Sequence, residues 1–458
     1  MKALRVVYLA FIAYVFIACD PGEEVISDDP GDRLAFSADT VQFDTLLSER
    51  QSFTRRLRVF NRGKRALVID LIELLDGKDS PYMIHVNGIE GPAVENVFLQ
   101  GGDSLLVLVD VTPVSMDSDL PFKVEDRLHF HSNGNIDEVV LLAYAQDVIR
   151  YRNQVLPCDA VWNPDRPYLI ADTVLIDSLC TLVLTPGTTV YFDPGAIFFV
   201  KGTLEASGTA ENNVRFIPSR LDEDFENIAG QWRGIYFLEG SKGNLLDYVT
   251  IRNAENGLRI GTPDADTIPD VVITHSRIEN MTGSGIIGFN SDILAENLLV
   301  DNCLFFTAAG LGGGNYTFRH CTFANYSFDF FPQDPAIAFT NILQLSDDSF
   351  LINDLFLTIQ NTIVWGSRSE ELFFGSSEEA AFEIFLDRNI LRTQLDPGDL
   401  PENIINADPR FIDPEIYNYR VDSLSPALNA ARPAGTVDDL EGIPRDASPD
   451  IGAYESSF

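Results

Sequence analysis

Positive charge is scarce in this chain. Lys and Arg together number 32 against 69 Asp and Glu, leaving a formal charge of -37, and only six of the basic residues are lysine (Lys2, Lys64, Lys78, Lys123, Lys201 and Lys242). A polyanion is bound by local cationic charge that displaces its counterions, so nucleic acid is excluded as a partner. What remains is an acidic surface with interspersed arginine, which favours solubility and says little about fold. Catalytic signatures are missing too: there is no Gly-x-Ser-x-Gly elbow and no His-Glu-x-x-His helix. The stretch "GLGGGN" (310–315) has no Lys and no following helix, so it cannot be a phosphate loop. It reads as a strand with close packing.

Long apolar runs are absent as well. Behind Lys2 and Arg5 stands "VVYLAFIAYVFIA" (6–18), shorter than the roughly 20 residues a membrane span needs, and therefore a signal-peptide core. It ends in "FIAC", which resembles a bacterial lipobox, with Phe16 where Leu, Val or Ile is usual. The resemblance implies that Cys19 carries lipid and becomes the mature N-terminus. The next stretch, "DPGEEVISDDPGD", has the composition of a flexible charged tether. It is similar to the acidic export tag of Bacteroidetes surface lipoproteins, which implies an outer-membrane protein facing the cell exterior.

Cysteine is rare. Of the five, four remain once Cys19 is set aside: Cys158, Cys180, Cys303 and Cys321. Export permits disulfides. Cys158 and Cys180 flank the point where the sequence changes character and form the best pair. Cys321 belongs to a strand interior and Cys303 follows a corner, so these two are not expected to bond.

What is abundant is β pattern. From about Leu34 to Asp147, runs such as "LRVFNRGKRALVIDL", "SLLVLVDVTP", "RLHFHS" and "EVVLLAYAQD" alternate with a period near two between turn residues. Short antiparallel strands at this spacing make an immunoglobulin-type sandwich, and the segment is similar to Ig-like modules behind the anchor of Bacteroidetes lipoproteins. Beyond it, Gly187, Gly195, Gly202 and Gly208 are spaced by eight, seven and six residues, so three strands with their corners use 21. That is one coil of a parallel β-helix, with Leu182/Leu184, Val190/Phe192 and Leu204/Ala206 pointing inward. The run from "LTPGTTVYF" to "GQWRGIYF" resembles the start of right-handed β-helix proteins.

Five segments then superpose: "YVTIRN" (248–253), "HSRIEN" (275–280), "NLLVDN" (297–302), "HCTFAN" (320–325) and "NTIVWG" (361–366), with starts 27, 22, 23 and 41 residues apart. Their second and fourth positions point inward. The sixth is Asn in four of the five (Asn253, Asn280, Asn302 and Asn325), which suits a left-handed corner where each amide bonds to the one a coil above. On the same superposition "GLGGGN" corresponds to "GLRIG" (257–261) and "GIIGFN" (285–290). Cys321 faces inward as a small apolar residue, and His320 points outward. The tail, with "DPRF", "YRVDSLSPALNA" and "PDIGAYE", resembles the ending of many exported β-helices and implies a cap, since an open last coil would expose core and strand edges.

Candidate chemistry is sparse. "HFH" places His129 and His131 on one strand face at a spacing that suits zinc or copper, but the sequence shows no third or fourth ligand nearby, so an exposed polar face is the reading and no metal is assigned there. The acidic stretch "LDEDFE" makes Asp222 and Asp224 calcium candidates, and "DADTIPD" and the Asp pairs at 347 and 438 read as solvated loops. Asn-Thr-Asp, Gly-His-Gly and Arg-Ile-Lys, the motifs of β-helix polygalacturonases, do not occur. The expectation is therefore an all-β protein: signal peptide 1–18, acidic tether 19–33, Ig-like β-sandwich 34–148, right-handed single-stranded parallel β-helix 149–405 and C-terminal cap 406–458. Its expected role is non-catalytic, with the sandwich as spacer and the β-helix as a platform for an extracellular polysaccharide or for adhesion, held to the bilayer by its lipid and needing no cofactor. The alternative is a polysaccharide lyase or glycoside hydrolase with carboxylates in the β-helix loops.

Overall fold

The computed structural model describes residues 25–261, 268–326 and 331–456. Residues 1–18, Cys19 and the first part of the tether lie outside them. The chain divides into two compact units between Asp147 and Val148.

The first unit is an Ig-like sandwich of two five-stranded sheets. One sheet orders Ala35–Phe36, Arg55–Phe60, Ser104–Val111, Tyr82–Val86 and Ile89–Gly91; the other orders Thr40–Leu47, Asn135–Gln146, Phe122–Ser132, Leu67–Leu74 and Ala93–Leu99. Strict alternation explains the packing, because Leu57, Val59, Ile84, Val107, Leu128, Phe130 and Leu141 all turn inward and are fully buried. The pairing differs from a purely antiparallel expectation in one place. Thr40–Leu47 runs parallel to Asn135–Gln146, because the chain leaves one sheet at Phe36 and joins the other at Thr40 beside its last strand. The tether also ends earlier than expected. Ile26 bridges Ala66, Ser27 is buried, and the side chains of Asn133 and Asn135 donate to the carbonyls of Asp29 and Pro30, so residues 26–33 are docked on the sandwich.

The second unit is the right-handed parallel β-helix, in which 25 strands among the described residues form a single sheet from Ile149–Tyr151 to Ile404–Ile405. Coil pairing follows the repeat: Thr250 lies beside Arg277, Arg277 beside Leu299, Leu299 beside Thr322 and Thr322 beside Ile363. Leu182, Leu184, Val190, Phe192, Leu204 and Ala206 all enter the core. Near its start Trp162 stacks on Tyr168 at 4.3 Å and on Tyr151 at 5.3 Å, while Cys158 and Cys180 are joined across neighbouring coils with Cα atoms 4.7 Å apart.

Corner chemistry explains the Asn positions in part. Asn253, Asn280 and Asn302 have φ of 60°, 66° and 49°, and their amides stack, Asn280 donating to Asn253 at 2.7 Å and Asn302 to Asn280 at 2.9 Å. Asn325 departs from this ladder. It has no left-handed φ; its Oδ1 accepts the Cys303 N–H, and its amide donates to the Phe305 carbonyl. The other end of the repeat holds a second left-handed corner, at Tyr248, His275, Asn297, His320 and Asn361, with φ between 45° and 53°.

The glycine stretch is shifted from its expected alignment. Gly310 pairs with Gly288, not with Gly285 or Gly257. The register slips between Phe289 and Ser291, and the one extra residue is absorbed at Gly312 and Gly313. A hairpin, Ile342–Ser346 with Ser349–Ile352, comes so close that a Cβ on Gly312 would lie 2.9 Å from Leu351, and on the neighbouring coil a Cβ on Gly314, at φ 116°, would lie 2.4 Å from the Ser291 carbonyl oxygen. Only glycine fits there.

The cap is placed along the side of the coils. Most outward residues of the later repeats are apolar, and the tail covers them: Leu299 and Ala324 with Tyr419, Leu440 and Tyr454, and Ile363, Trp365 and Ile390 with Val421, Ala427 and Ile451. Polar contacts from the second corner hold it, as Asn297 donates to the Asp438 carbonyl and the Gly452 N–H donates to the Asn361 carbonyl.

Candidate functional site

The tail decides what is reachable. His320 does point out of its coil, yet it is fully buried beneath the tail, where Asn361 meets its Nε2 at 2.9 Å. Burial, reinforced by the Arg445 charge, lowers its pKa to about 3. Cys321 is buried in the core, and desolvation pushes its thiol up to about 12. Neither is a nucleophile or a ligand. Cys303 is likewise a buried free thiol.

The Asp pair at 438 is a clasp, not a solvated loop. Asp438 Oδ1 lies 3.0 Å from His275 Nε2, Asp247 Oδ1 lies 2.8 Å from its Nδ1, and the ring stacks on Tyr248 at 4.5 Å. Asp439 accepts the N–H groups of Glu441, Ile443 and Glu455. Burial pulls the His275 imidazole down, but the hydrogen bonds and charges of Asp247 and Asp438 outweigh it, and its net shift is upward. A raised folded pKa stabilises fully below the unfolded value of about 6.5, and that stabilisation is lost as pH rises through the folded value. His275→Asn is therefore expected to cost about 1 kcal/mol at pH 6 and much less at pH 9, as measured by denaturant titration at both values.

Carboxyls with raised pKa are sealed inside. Asp301 pairs in register with Glu279, is fully buried beneath the tail with Tyr419 and Tyr454 nearby, and is pushed up by burial first and by the Glu279 charge second. Glu371 is raised to about 7 by burial, while its two oxygens accept the N–H groups of Arg368 and Ala336. Glu455 is raised chiefly by burial and is tied to Arg445.

Among the described residues, the β-helix carries open grooves, two of which gather polar side chains. One, of about 540 Å³, is lined by Trp365, Ser369, Arg392, Gln394, Asn406 and Asp408. The Arg392 guanidinium sits 5.1 Å from the Trp365 ring centre and donates to the Gly366 carbonyl at 2.6 Å, and Gln394 donates to Ser369 Oγ at 2.8 Å. The other, of about 270 Å³, brings Arg215, Arg220, Glu223, Glu226 and Arg252 together. Asp222 lies beside it but is engaged by Arg220 at 3.0 Å, and Asp224 is exposed on a short helical turn; among the described residues they do not form a three-donor cluster. Asp270 caps the next coil by accepting the Asp292 N–H, while residues 264–267 lie outside the described residues.

On the sandwich, His129 and His131 sit on the outer face, and the structure adds what the sequence spacing did not show: Glu73 from a neighbouring strand, 3.0 Å from His131. The tail-holding corner at Tyr248, His275, Asn297, His320 and Asn361 was also unassigned. Its signal was the polar or aromatic first position of every repeat.

No family model matches the sequence, and no curated protein matches it. Among solved structures, the chain is similar to the ASH / PapD-like domain 7 of human CEP192, with 12% identity over 25% of this chain and 87% of that one and a TM-score of 0.18. It is also similar to the catalytic domain of Agl-KA, with 13% identity over 75% and 76% and a TM-score of 0.29. The catalytic domain of a GH87 alpha-1,3-glucanase, solved with tetrasaccharides, matches at 10% identity over 81% and 90% with a TM-score of 0.18. Likenesses this distant assign no activity to the chain.

Proposed function

We propose that the protein is a lipid-anchored outer-membrane protein, facing the cell exterior, that binds an extracellular polysaccharide without cleaving it. The observation that carries this reading is the groove at Trp365. Beside the largely buried Trp365 ring, a hydroxyl, two amides, a guanidinium and a carboxylate line an open groove, which matches a ligand that presents many hydroxyls. The carboxyls whose pKa is raised, which an acid catalyst would need, are walled off by the tail or the coils.

The groove at Arg220 favours the cleaving alternative, because it combines arginines with Glu223 and Glu226. Its arginines are already engaged, however: Arg252 with Glu279 at 3.1 Å, Arg220 with Asp222 and Arg215 with Thr189. These contacts turn the three guanidinium groups toward the protein's own oxygens, which counts against any of them acting on a ligand.

A polysaccharide panel, with and without calcium, tests both readings. Retention without depolymerisation is expected, and Gln394→Ala with Asp408→Ala, both exposed positions, should weaken it about tenfold. Chain shortening by the wild type would favour the enzyme, and silence across the panel would sink glycan binding altogether.

A further inference from the structure

We propose that Glu73, His129 and His131 form a binding site for a borderline divalent transition metal, with zinc as its physiological class, on the outer face of the sandwich. Their ligand atoms all lie within 4.8 Å of one another. The strand Phe122–Ser132 supplies both imidazoles, since residues two apart on a strand share a face. Glu73 comes from Leu67–Leu74, whose register sets it directly opposite His129 and diagonal to His131. His131 Nε2 already meets Glu73 Oε1 at 3.0 Å, and the two rings are 6.4 Å apart. Ligands on tetrahedral zinc, with bonds of about 2.0–2.1 Å, stand roughly 3.3 Å apart. Rotation about the side-chain torsions closes the remaining gap, while the strand backbones hold their places.

The donor set selects the metal. Two imidazoles and one carboxylate suit zinc and its transition-metal neighbours, and disfavour calcium, which takes six to eight oxygens. Three protein ligands leave a fourth position open. Glu138, opposite His129 on the next strand and 3.3 Å from its Nε2, adds negative charge at the rim, partly balanced by Arg127 at 3.5 Å. Because the site joins two strands of one sheet, a bound ion acts as a cross-link that favours the folded sandwich.

The full chain titrated with zinc alone should take up one ion and melt at a higher temperature. His129→Ala and His131→Ala should each weaken uptake at least tenfold, while His85→Ala, at a separate place in the same unit, should leave it unchanged. X-ray absorption on the zinc-loaded wild type is expected to show two imidazole nitrogens at about 2.0 Å, a readout that needs no variant. Absence of uptake, uptake that survives the double His129/His131 variant, or a zinc shell with fewer than two imidazoles would each overturn the site.

Discussion

Arg445→Ala is expected to lower folding stability by about 3–5 kcal/mol, the cost of breaking a buried ion pair by removing one partner. Arg445 and Glu455 have side chains only 2% and 6% exposed and meet at 3.1 Å. The same guanidinium donates to Asn297 Oδ1 and to the carbonyls of Asp438, Asp450 and Gly452. Truncation strands these acceptors and leaves Glu455 without its cation. Lysine retains charge but not the planar fork, so Arg445→Lys should recover only part of the loss. The contact reaches a left-handed corner of the β-helix, which makes the tail an integral part of the coil stack. Denaturant midpoints give the size of the effect. His320 gives its location: loss of the Arg445 charge alone relieves only the smaller cause of its lowered pKa, and a return most of the way to 6.5 requires that the tail no longer bury it. A loss under about 1 kcal/mol, with His320 unmoved, would show the tail to be an appendage.

That role of the tail was written in the repeats but is hard to read forward. Inward positions announce themselves by alternation, and the coil offsets follow from the same superposition, so the core and the register are legible. Outward positions change without a motif. Thr250 and Arg252, then Arg277 and Glu279, give way to Leu299, Ala324, Ile363 and Trp365 beside the polar Asp301 and Thr322, and a mainly apolar outer face implies a cover. What supplies the cover depends on a segment far downstream, from Val421 over Trp365 to Tyr454 over Leu299, which no local period encodes. Asn325 fails for a related reason. Its residue type suits the corner, but a backbone donor at Cys303 competes for its oxygen and wins. The third ligand of the histidine pair was invisible because Glu73 is 58 residues from His131 and meets it only through sheet register.

Converting Cys158 and Cys180 to serine is expected to cost about 3 kcal/mol, since the bond closes a loop of 22 residues, about one coil. The effect should be local, which sets it apart from the loss of Arg445. In a solenoid each coil is stabilised mainly by its neighbours, so the first coil, paired on one side only, depends most on a staple. That coil is also closed by a short aromatic stack, Tyr151 on Trp162 on Tyr168. Releasing the staple should let strands between Ile149 and Ile176 open while the coils clasped by the tail stay shut. Amide exchange resolves the two cases. Faster exchange confined to residues 149–180 supports local fraying, whereas uniform loss of protection through Leu298–Cys303 would mean that the β-helix unfolds as one cooperative unit.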